Sequence, residues 1–237
     1  MMLRLLAALA VCVALAPLTA FAQNNTRCAA NPYALCSHAI CTCLDESGNP
    51  TACPTSIDDA TKAVWSSCEC PVVTTGPAPN YNVNLGNTAC EKRLPTAIPG
   101  FAVPSRPTGN VNFIFSQYSL GDAVTNSNYG TLSGASMTTC PATNTNGSPT
   151  FFANCLDAPC YWDPSEAKAV CFCPVNIATA TWNTFTTDCG TDICETADNQ
   201  VWSAAPVPLT QTATGLLQGT IAAGGNTPAT VNYCVPN

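Results

Sequence analysis

The chain has 237 residues, a formal net charge of −7 and only 9% charged residues, whereas about 25% of the residues in an average soluble domain are charged. Its seven Lys and Arg residues form no basic stripe or cluster, so we expect no binding to nucleic acid or to anionic lipid. Thr, Asn, Ser and Pro replace the missing charges, which predicts a largely neutral and polar surface.

The first 22 residues have the pattern of a cleaved export signal. Arg4 precedes an apolar run from Leu5 to Ala16, and Ala20-Phe21-Ala22 fits a small-x-small cleavage sequence. The run is shorter than the roughly 20 apolar residues that a membrane span requires. We therefore predict a signal peptide over residues 1–22, no membrane span, and a mature protein that is secreted or periplasmic.

The cysteine content predicts a disulfide-stabilised protein. Of the 17 cysteines, only Cys12 lies in the predicted signal, and an even number in an exported chain is typical of disulfides formed in an oxidising compartment. The predicted disulfide cysteines are Cys28, Cys36, Cys41, Cys43, Cys53, Cys68, Cys70, Cys90, Cys140, Cys155, Cys160, Cys171, Cys173, Cys189, Cys194 and Cys234. The alternative is a thiolate metal protein, which requires a reducing compartment or metal loading during export.

The sequence contains an internal repeat. Residues 34–41 align with 153–160, and residues 68–72 align with 171–175 in the same order. Six cysteines recur: 28, 36, 41, 68, 70 and 90 correspond to 140, 155, 160, 171, 173 and 189. We interpret this pattern as a tandem duplication.

The duplication divides the mature chain into two halves. Residues 23–139 are predicted to form a cysteine-rich module with a β stretch, and residues 140–237 a homologous one. Four cysteines do not recur, and elimination pairs Cys43 with Cys53 and Cys194 with Cys234. The alternative is a different alignment at the end of the repeat, because Cys90-Glu91 also resembles Cys194-Glu195. The six shared positions still allow 15 connectivities in each half.

The C-x-C steps at residues 68–70 and 171–173 restrict the pairing further. Alternate residues of a strand point to the same face, with α-carbons roughly 6.5–7 Å apart, at the far limit of disulfide geometry. Cys68 and Cys70 are therefore predicted to bond two other cysteines, as are Cys171 and Cys173. Each C-x-C strand would then be anchored twice on one face.

The remaining elements are mostly strands. A short helix is predicted over residues 57–66, and the Pro-rich segment 95–107 is predicted to be extended. Residues 111–120 alternate as a strand does, and residues 199–203 resemble them. No long amphipathic helical pattern is present. The predicted fold class is mainly β, with small disulfide-rich modules and Pro-, Asn- and Gly-rich connectors.

One segment combines a turn with side chains suited to ligand binding. Residues 160–162 and 169–175 read as strands, and Asp-Pro at 163–164 initiates a turn between them. The candidate ligand-binding residues are Tyr161, Trp162, Asp163 and Glu166. The alternative is that the two acids are solvated turn residues and that the tryptophan fills the core.

The sequence contains few candidate catalytic residues. His38 is the single histidine, which leaves little basis for a catalytic triad or for a histidine metal site. We predict no catalytic residues, no metal and no cofactor. A carboxylate hydrolase would need two acids about 5–9.5 Å apart, and the candidates are Asp163 with Glu166 and the Asp58-Asp59 pair with Glu69.

The predicted function is therefore that of an exported, non-enzymatic module for binding or structural interaction. The expected partner is an extracellular protein or a glycan. A glycan-acting carboxylate hydrolase and a thiolate metal-binding protein are the two alternatives. The sequence alone leaves the ligand and the oligomeric state open.

Overall fold

The computed structural model describes only part of the chain, and every structural statement below concerns that part. The described residues are 26–28, 32–36, 39–56, 64–74, 82–84, 111–116, 118–119, 136–156, 158–186, 194, 198–223 and 232–234. Their strands are β1 Thr26–Cys28, β2 Tyr33–Ala34, β3 Ile40–Leu44, β4 Trp65–Val73, β5 Asn82–Asn84, β6 Asn112–Phe115, β7 Tyr118–Ser119, β8 Ser136–Cys140, β9 Phe151–Asn154, β10 Pro159–Trp162, β11 Lys168–Ile177, β12 Trp182–Thr186, β13 Gln200–Pro206 and β14 Asn232–Cys234. The helix is α1 Val207–Ala223.

The strands form one large sheet and one small sheet. The large sheet has 11 strands, nine of them in the order β14-β8-β12-β13-β3-β4-β11-β10-β6, and β2 and β9 pair beside this path. The small sheet has the order β1-β5-β7. The predicted mainly β class, with disulfide-bonded cysteine pairs, is confirmed.

β4 and β11, with the C-x-C steps at residues 68–70 and 171–173, lie side by side within the large sheet. β4 and β11 are antiparallel, and their register places Cys68 opposite Cys171. Strand side chains alternate between faces, so Cys70 and Cys173 share the face of these two residues. All four of these cysteines are fully buried. We call this cysteine-bearing face the inner face.

Each C-x-C strand is anchored twice. Cross-strand bonds join directly opposed residues of β3 and β4 and of β10 and β11, with α-carbons 4.2 and 4.0 Å apart. Two further bonds attach the segments after β2 and β9, with α-carbons 4.9 Å apart in both. The four bonds are Cys41–Cys68, Cys160–Cys171, Cys36–Cys70 and Cys155–Cys173. No C-x-C pair is bonded to itself, as the spacing required.

The connectivity is the same at aligned positions of the two halves. Cys36–Cys70 corresponds to Cys155–Cys173, and Cys41–Cys68 corresponds to Cys160–Cys171. The strand register agrees as well, since Ala34 is opposite Val72 and Ala153 is opposite Val175. These aligned residues therefore occupy corresponding places in the large sheet. The aligned pair Cys28 and Cys140 does not, because Cys28 lies in β1 of the small sheet and Cys140 in β8 of the large one.

The two bonds predicted by elimination have different outcomes. Cys43–Cys53 is confirmed. Cys194–Cys234 is wrong, because Cys194 is bonded to Cys140, 54 residues earlier. Elimination failed here because it reserved Cys140 for a repeated position. Cys234 is also disulfide-bonded, and its strand β14 lies parallel to β8.

Two strands cross from one half to the other. β6 follows the first C-x-C strand but pairs with β10 of the second half. β13 follows the second C-x-C strand but pairs with β3 of the first half. Each crossing ends in a buried serine, and their hydroxyls donate to backbone carbonyls of the opposite half, Ser116 to Cys155 and Ser203 to Cys36.

The backbone repeats this crossed attachment. The amide of Ser116 donates to the carbonyl of Ala158 at 3.0 Å, and the amide of Ser203 donates to the carbonyl of Ala39 at 2.8 Å. These backbone bonds join buried groups of one half to the other half, so each half contributes to satisfying the buried polar groups of its neighbour.

The helix α1 was not predicted, and its sequence explains why. Its 17 residues carry no acidic group in the first turn and no basic group in the last, and Gly215 and Gly219 interrupt it with residues of low helix propensity. Pro208, in the first turn, is the one start signal that sequence alone contains. No helix of the described residues is long and apolar enough to cross a membrane.

Several other predictions differ from the structure or cannot be compared with it. The helix over residues 57–66 is wrong at its end, because Trp65 and Ser66 begin β4. The predictions that lie outside the described residues concern the signal 1–22, His38, residues 57–63 with Asp58 and Asp59, Cys90, the connector 95–107 and Cys189.

Paired Cys41→Ala and Cys68→Ala substitutions are expected to lower the free energy of unfolding by about 3.5 kcal/mol, because the bond spans 27 residues. Paired Cys43→Ala and Cys53→Ala substitutions open a separation of 10 residues and are expected to cost about 2.7 kcal/mol. Denaturant unfolding without reductant measures both. A larger loss for the shorter loop would contradict this assignment of the central bond.

Candidate functional site

The outer face of the central sheet forms an open groove of about 720 Å³. It is opposite the inner face, so its floor consists of residues that alternate with the bonded cysteines. The lining residues are Ile40, Thr42, Leu44, Gly48, Pro50, Ser67, Glu69, Val111, Tyr161, Asp163, Glu166, Lys168, Val170 and Phe172. This volume is within the roughly 300–1,000 Å³ of small-ligand sites.

The floor of the groove is mostly apolar. Ile40 is 49% exposed and Val170 is 37% exposed, which is unusual for aliphatic side chains. Both lie in the same row across the sheet as Glu69, because Val170 is opposite Glu69 and β3 continues that row. Leu44 and Phe172 lie deeper and are buried. The groove therefore offers apolar area that the protein itself leaves uncovered.

An aromatic cluster forms one side of the groove. The ring of Tyr161 lies 4.8 Å from that of Phe113 and 5.8 Å from that of Phe172, in tilted and edge-to-face arrangements. Trp65 and Tyr161 also pack against the buried pair Leu44 and Phe172. These contacts hold the half-buried Tyr161 ring in place, so little side-chain entropy remains to be lost on binding.

The charged residues of the groove form one exposed ion pair and a turn. Nζ of Lys168 lies 3.2 Å from Oε2 of Glu69, and both side chains are more than half exposed. An exposed pair of this kind adds little stability. With Asp163 and Glu166 the groove carries three carboxylates and one ammonium group. Its net negative charge disfavours anionic ligands.

Asp163 organises the turn between β10 and β11. Its Oδ1 accepts hydrogen bonds from the amide and the hydroxyl of Ser165, at 2.9 and 2.7 Å. The carbonyl of Asp163 accepts the amide of Glu166 at 2.8 Å, which closes the turn. The Ser165 bonds favour the ionised form and hold the pKa of Asp163 below its ordinary value. Asp163 is therefore poorly suited to act as a general acid.

A turn in the first half is closed by an aspartate in the same way as the turn at Asp163. Oδ1 of Asp45 accepts the amides of Ser47 and Asn49, both at 2.9 Å, and these bonds lower the pKa of Asp45, the one from Asn49 most. Gly48 in this turn has a φ of 82°, where a side chain would be strained. Gly48 also lines the groove, so this turn helps to form its wall.

The structure brings three of the four candidate ligand-binding residues to the groove. Tyr161, Asp163 and Glu166 line it, together with Glu69. Trp162 points to the opposite face and is 8% exposed, and its indole nitrogen donates to the carbonyl of Glu166 at 2.8 Å. Its alternation with Tyr161 explains this placement. Trp162 therefore stabilises the turn from the inner face, through its hydrogen bond to the carbonyl of Glu166.

The groove also contains residues that sequence reasoning missed. Ile40, Leu44, Val170 and Phe172 were not candidates, although one signal was available. A residue between the two cysteines of a C-x-C strand must point away from the bonded face, and these residues are Thr42, Glu69 and Phe172.

The two halves have the same bonded cysteines on the inner face but different residues on the outer face. Tyr161 follows Cys160, whereas Thr42 follows Cys41 at the corresponding position. Phe172 stands between the cysteines of β11, whereas Glu69 stands between those of β4. The aromatic side of the groove is consequently formed by the second half and by β6, which crosses to it.

Asp163→Asn is expected to remove a pH-dependent part of the stability. The pKa of Asp163 is lowered in the folded protein, so its contribution is present above the ordinary value of 3.8 and is lost as the pH falls through the lowered pKa. Denaturant unfolding at pH 6 and pH 2 measures this. The wild type should lose more stability between these values than Asp163→Asn does, and equal losses would contradict the assigned bonds.

No family model, no curated protein and no solved structure matches the chain. The two aligned halves therefore provide the comparison from which the groove is interpreted. They agree where the sulfurs are bonded, and they differ on the outer face, where Tyr161 and Phe172 correspond to Thr42 and Glu69. We therefore take the outer face as the candidate functional site.

Proposed function

We propose that this chain is an exported, disulfide-stabilised binding module that is not an enzyme, and that the groove on its outer face binds the ligand. The observation that carries the proposal is the open apolar floor of that groove, where Ile40 and Val170 are 49% and 37% exposed. A rigid sheet bonded on its other face keeps such a floor flat and preformed, which lowers the entropic cost of binding.

The chemistry of the groove favours a neutral glycan. Tyr161 offers an immobilised ring of the kind that packs on the apolar face of a sugar, and the groove also contains the hydrogen-bonding groups of Thr42, Ser67 and Glu166. The groove carries more negative than positive charge, which argues against sulfated or uronic acid polymers. A protein partner is the second kind of ligand, and it would cover Ile40 and Val170 with apolar side chains.

We further propose that the halves, residues 23–139 and 140–237, are duplicated copies that have exchanged the strands β6 and β13. Equal bonding at aligned cysteines supports this, as do the matching crossings of β6 and β13. The copies differ on the outer face, where Tyr161 and Phe172 correspond to Thr42 and Glu69. The proposal therefore gives one binding site per chain rather than two.

Export follows from the bonds and the signal together. Thirteen described cysteines are disulfide-bonded, and such bonds persist in the periplasm or outside the cell. The proposed location is therefore periplasmic or extracellular, after removal of residues 1–22. This also weighs against the thiolate metal alternative, because a bonded sulfur is not a thiolate ligand.

The hydrolase alternative has one observation in its favour. Glu69, Asp163 and Glu166 all line the groove, as a carboxylate mechanism would require. Against it, the pKa of Asp163 is lowered, and Glu69 is paired with Lys168. A retaining or an inverting mechanism needs a carboxylic acid with a raised pKa.

The binding proposal is tested by calorimetric titration with soluble neutral hexasaccharides of β-1,4-glucose, β-1,4-N-acetylglucosamine and α-1,4-glucose, with heparin as the anionic comparison. One neutral series is expected to bind with one site per chain, and heparin is expected not to bind. Tyr161→Ala should weaken binding about tenfold or more, because a central aromatic contact is lost. Val170→Glu should do the same by introducing a charge into the apolar floor.

Tyr233→Ala is the matched control, because Tyr233 is a 53% exposed tyrosine on β14 and does not line the groove. It should bind as the wild type does. Equal affinity of Tyr161→Ala and Tyr233→Ala would overturn the assignment of the groove. Shortened oligosaccharides after incubation would support the hydrolase instead.

A further inference from the structure

Two disulfides of the inner face touch across the boundary between the halves. Sγ of Cys68 lies 3.3 Å from Sγ of Cys155 and 3.5 Å from Sγ of Cys173. Cys68 is bonded to Cys41 in the first half, and the other two are bonded to each other in the second. Three sulfurs from two bonds therefore meet in a buried place, where the hydroxyl of Ser66 lies 3.9 Å from Sγ of Cys68.

A corresponding group lies at the aligned position. The sulfurs of Cys36, Cys70 and Cys171 all lie within 4.8 Å of one another. Here the bond Cys36–Cys70 belongs to the first half, and Cys171 is bonded to Cys160 in the second. Cys68 of the first half thus lies against the Cys155–Cys173 bond of the second, and Cys171 of the second half lies against the Cys36–Cys70 bond of the first.

We infer that these contacts are thiol–disulfide exchange sites that connect the two halves. A thiolate attacks a disulfide at one sulfur and displaces the other. When the Cys41–Cys68 bond is open, Cys68 already lies in contact with the Cys155–Cys173 disulfide, which it can attack. When the Cys160–Cys171 bond is open, Cys171 lies close to the Cys36–Cys70 disulfide in the same way. The halves therefore share their disulfides during oxidation and reduction.

The exchange step balances without an oxidant. A small thiol, as its thiolate, first attacks Cys41 and forms a mixed disulfide, and Cys68 leaves as a thiolate. The sulfur of Cys68 then attacks Cys155: the Cys68–Cys155 bond forms, the Cys155–Cys173 bond breaks, and Cys173 leaves as a thiolate that takes a proton from solvent. The second step replaces one disulfide by another, so no net oxidation or reduction occurs.

The intact protein suppresses this reaction. Cys68 lies almost equally far from the two sulfurs of its neighbour, so it faces the middle of that bond rather than either end. Attack at one sulfur needs a rotation about the Cα–Cβ bond of Cys68, which its bond to Cys41 prevents. Opening that bond provides both the thiolate and the freedom to rotate.

The full-length variant Cys41→Ser tests the inference, because it leaves Cys68 permanently without its partner. The purified variant is held at pH 8.5, quenched with acid, alkylated, digested with pepsin and mapped by mass spectrometry. Peptides that join Cys68 to Cys155 or to Cys173 are expected, in amounts comparable to the unexchanged form because one disulfide replaces another. The displaced cysteine should carry the alkyl group.

Cys53→Ser is the matched control. It leaves Cys43 without its partner, on β3 next to the strand of Cys68 and in the same half, but keeps all four bonds of the central sheet closed. No peptide that joins the two halves is expected from it. The same inter-half peptides in the control would show general scrambling and would overturn the inference.

The wild type provides a second measurement that does not depend on the folding of a variant. Limiting dithiothreitol opens a small fraction of bonds, and the same mapping follows the products with time. Bonds of Cys68 with Cys155 or Cys173, and of Cys171 with Cys36 or Cys70, are expected before full reduction. Sequential loss of native bonds without any of these four products would overturn the inference.

Discussion

The antiparallel pairing of β4 with β11 is the constraint on which the rest of the structure depends. It places Cys68 opposite Cys171. Because strand side chains alternate between faces, Cys70 and Cys173 then lie on the same inner face. Four disulfides attach neighbouring segments to that face. A chain with 9% charged residues thereby gains a defined centre from crosslinks as well as from apolar burial.

The same pairing explains why the opposite face is open to ligands. One face of the central sheet is filled by sulfur, so the alternate residues must point outward whatever their polarity. This leaves Val170 beside Glu69 on the surface. Because the bonds carry stability on one face, residues on the other can change at smaller cost, and the two halves differ there. Stability and recognition are thus assigned to opposite faces of one sheet.

Sequence reasoning reached the features that depend on local chemistry. The C-x-C geometry and the turn at Asp163 follow from spacing and residue type alone, and the Cys43–Cys53 bond follows from elimination over the repeat. It missed features set by distant pairing. The Cys140–Cys194 bond and the crossing of β6 and β13 depend on which strands become neighbours. Of the groove, the sequence predicted only the residues at the turn after β10. The exposure of Val170 depends on which strands pair in the assembled sheet.

Peptide mapping of the protein purified from its own host, without reductant, tests the account most directly. It reports the N-terminus and every disulfide in one sample. The account predicts Gln23 as the first residue and the bonds Cys36–Cys70, Cys41–Cys68, Cys155–Cys173 and Cys160–Cys171. Alkylated thiols at these positions, or bonds within a C-x-C step, would contradict the sulfur-bonded inner face and with it the groove on the other side.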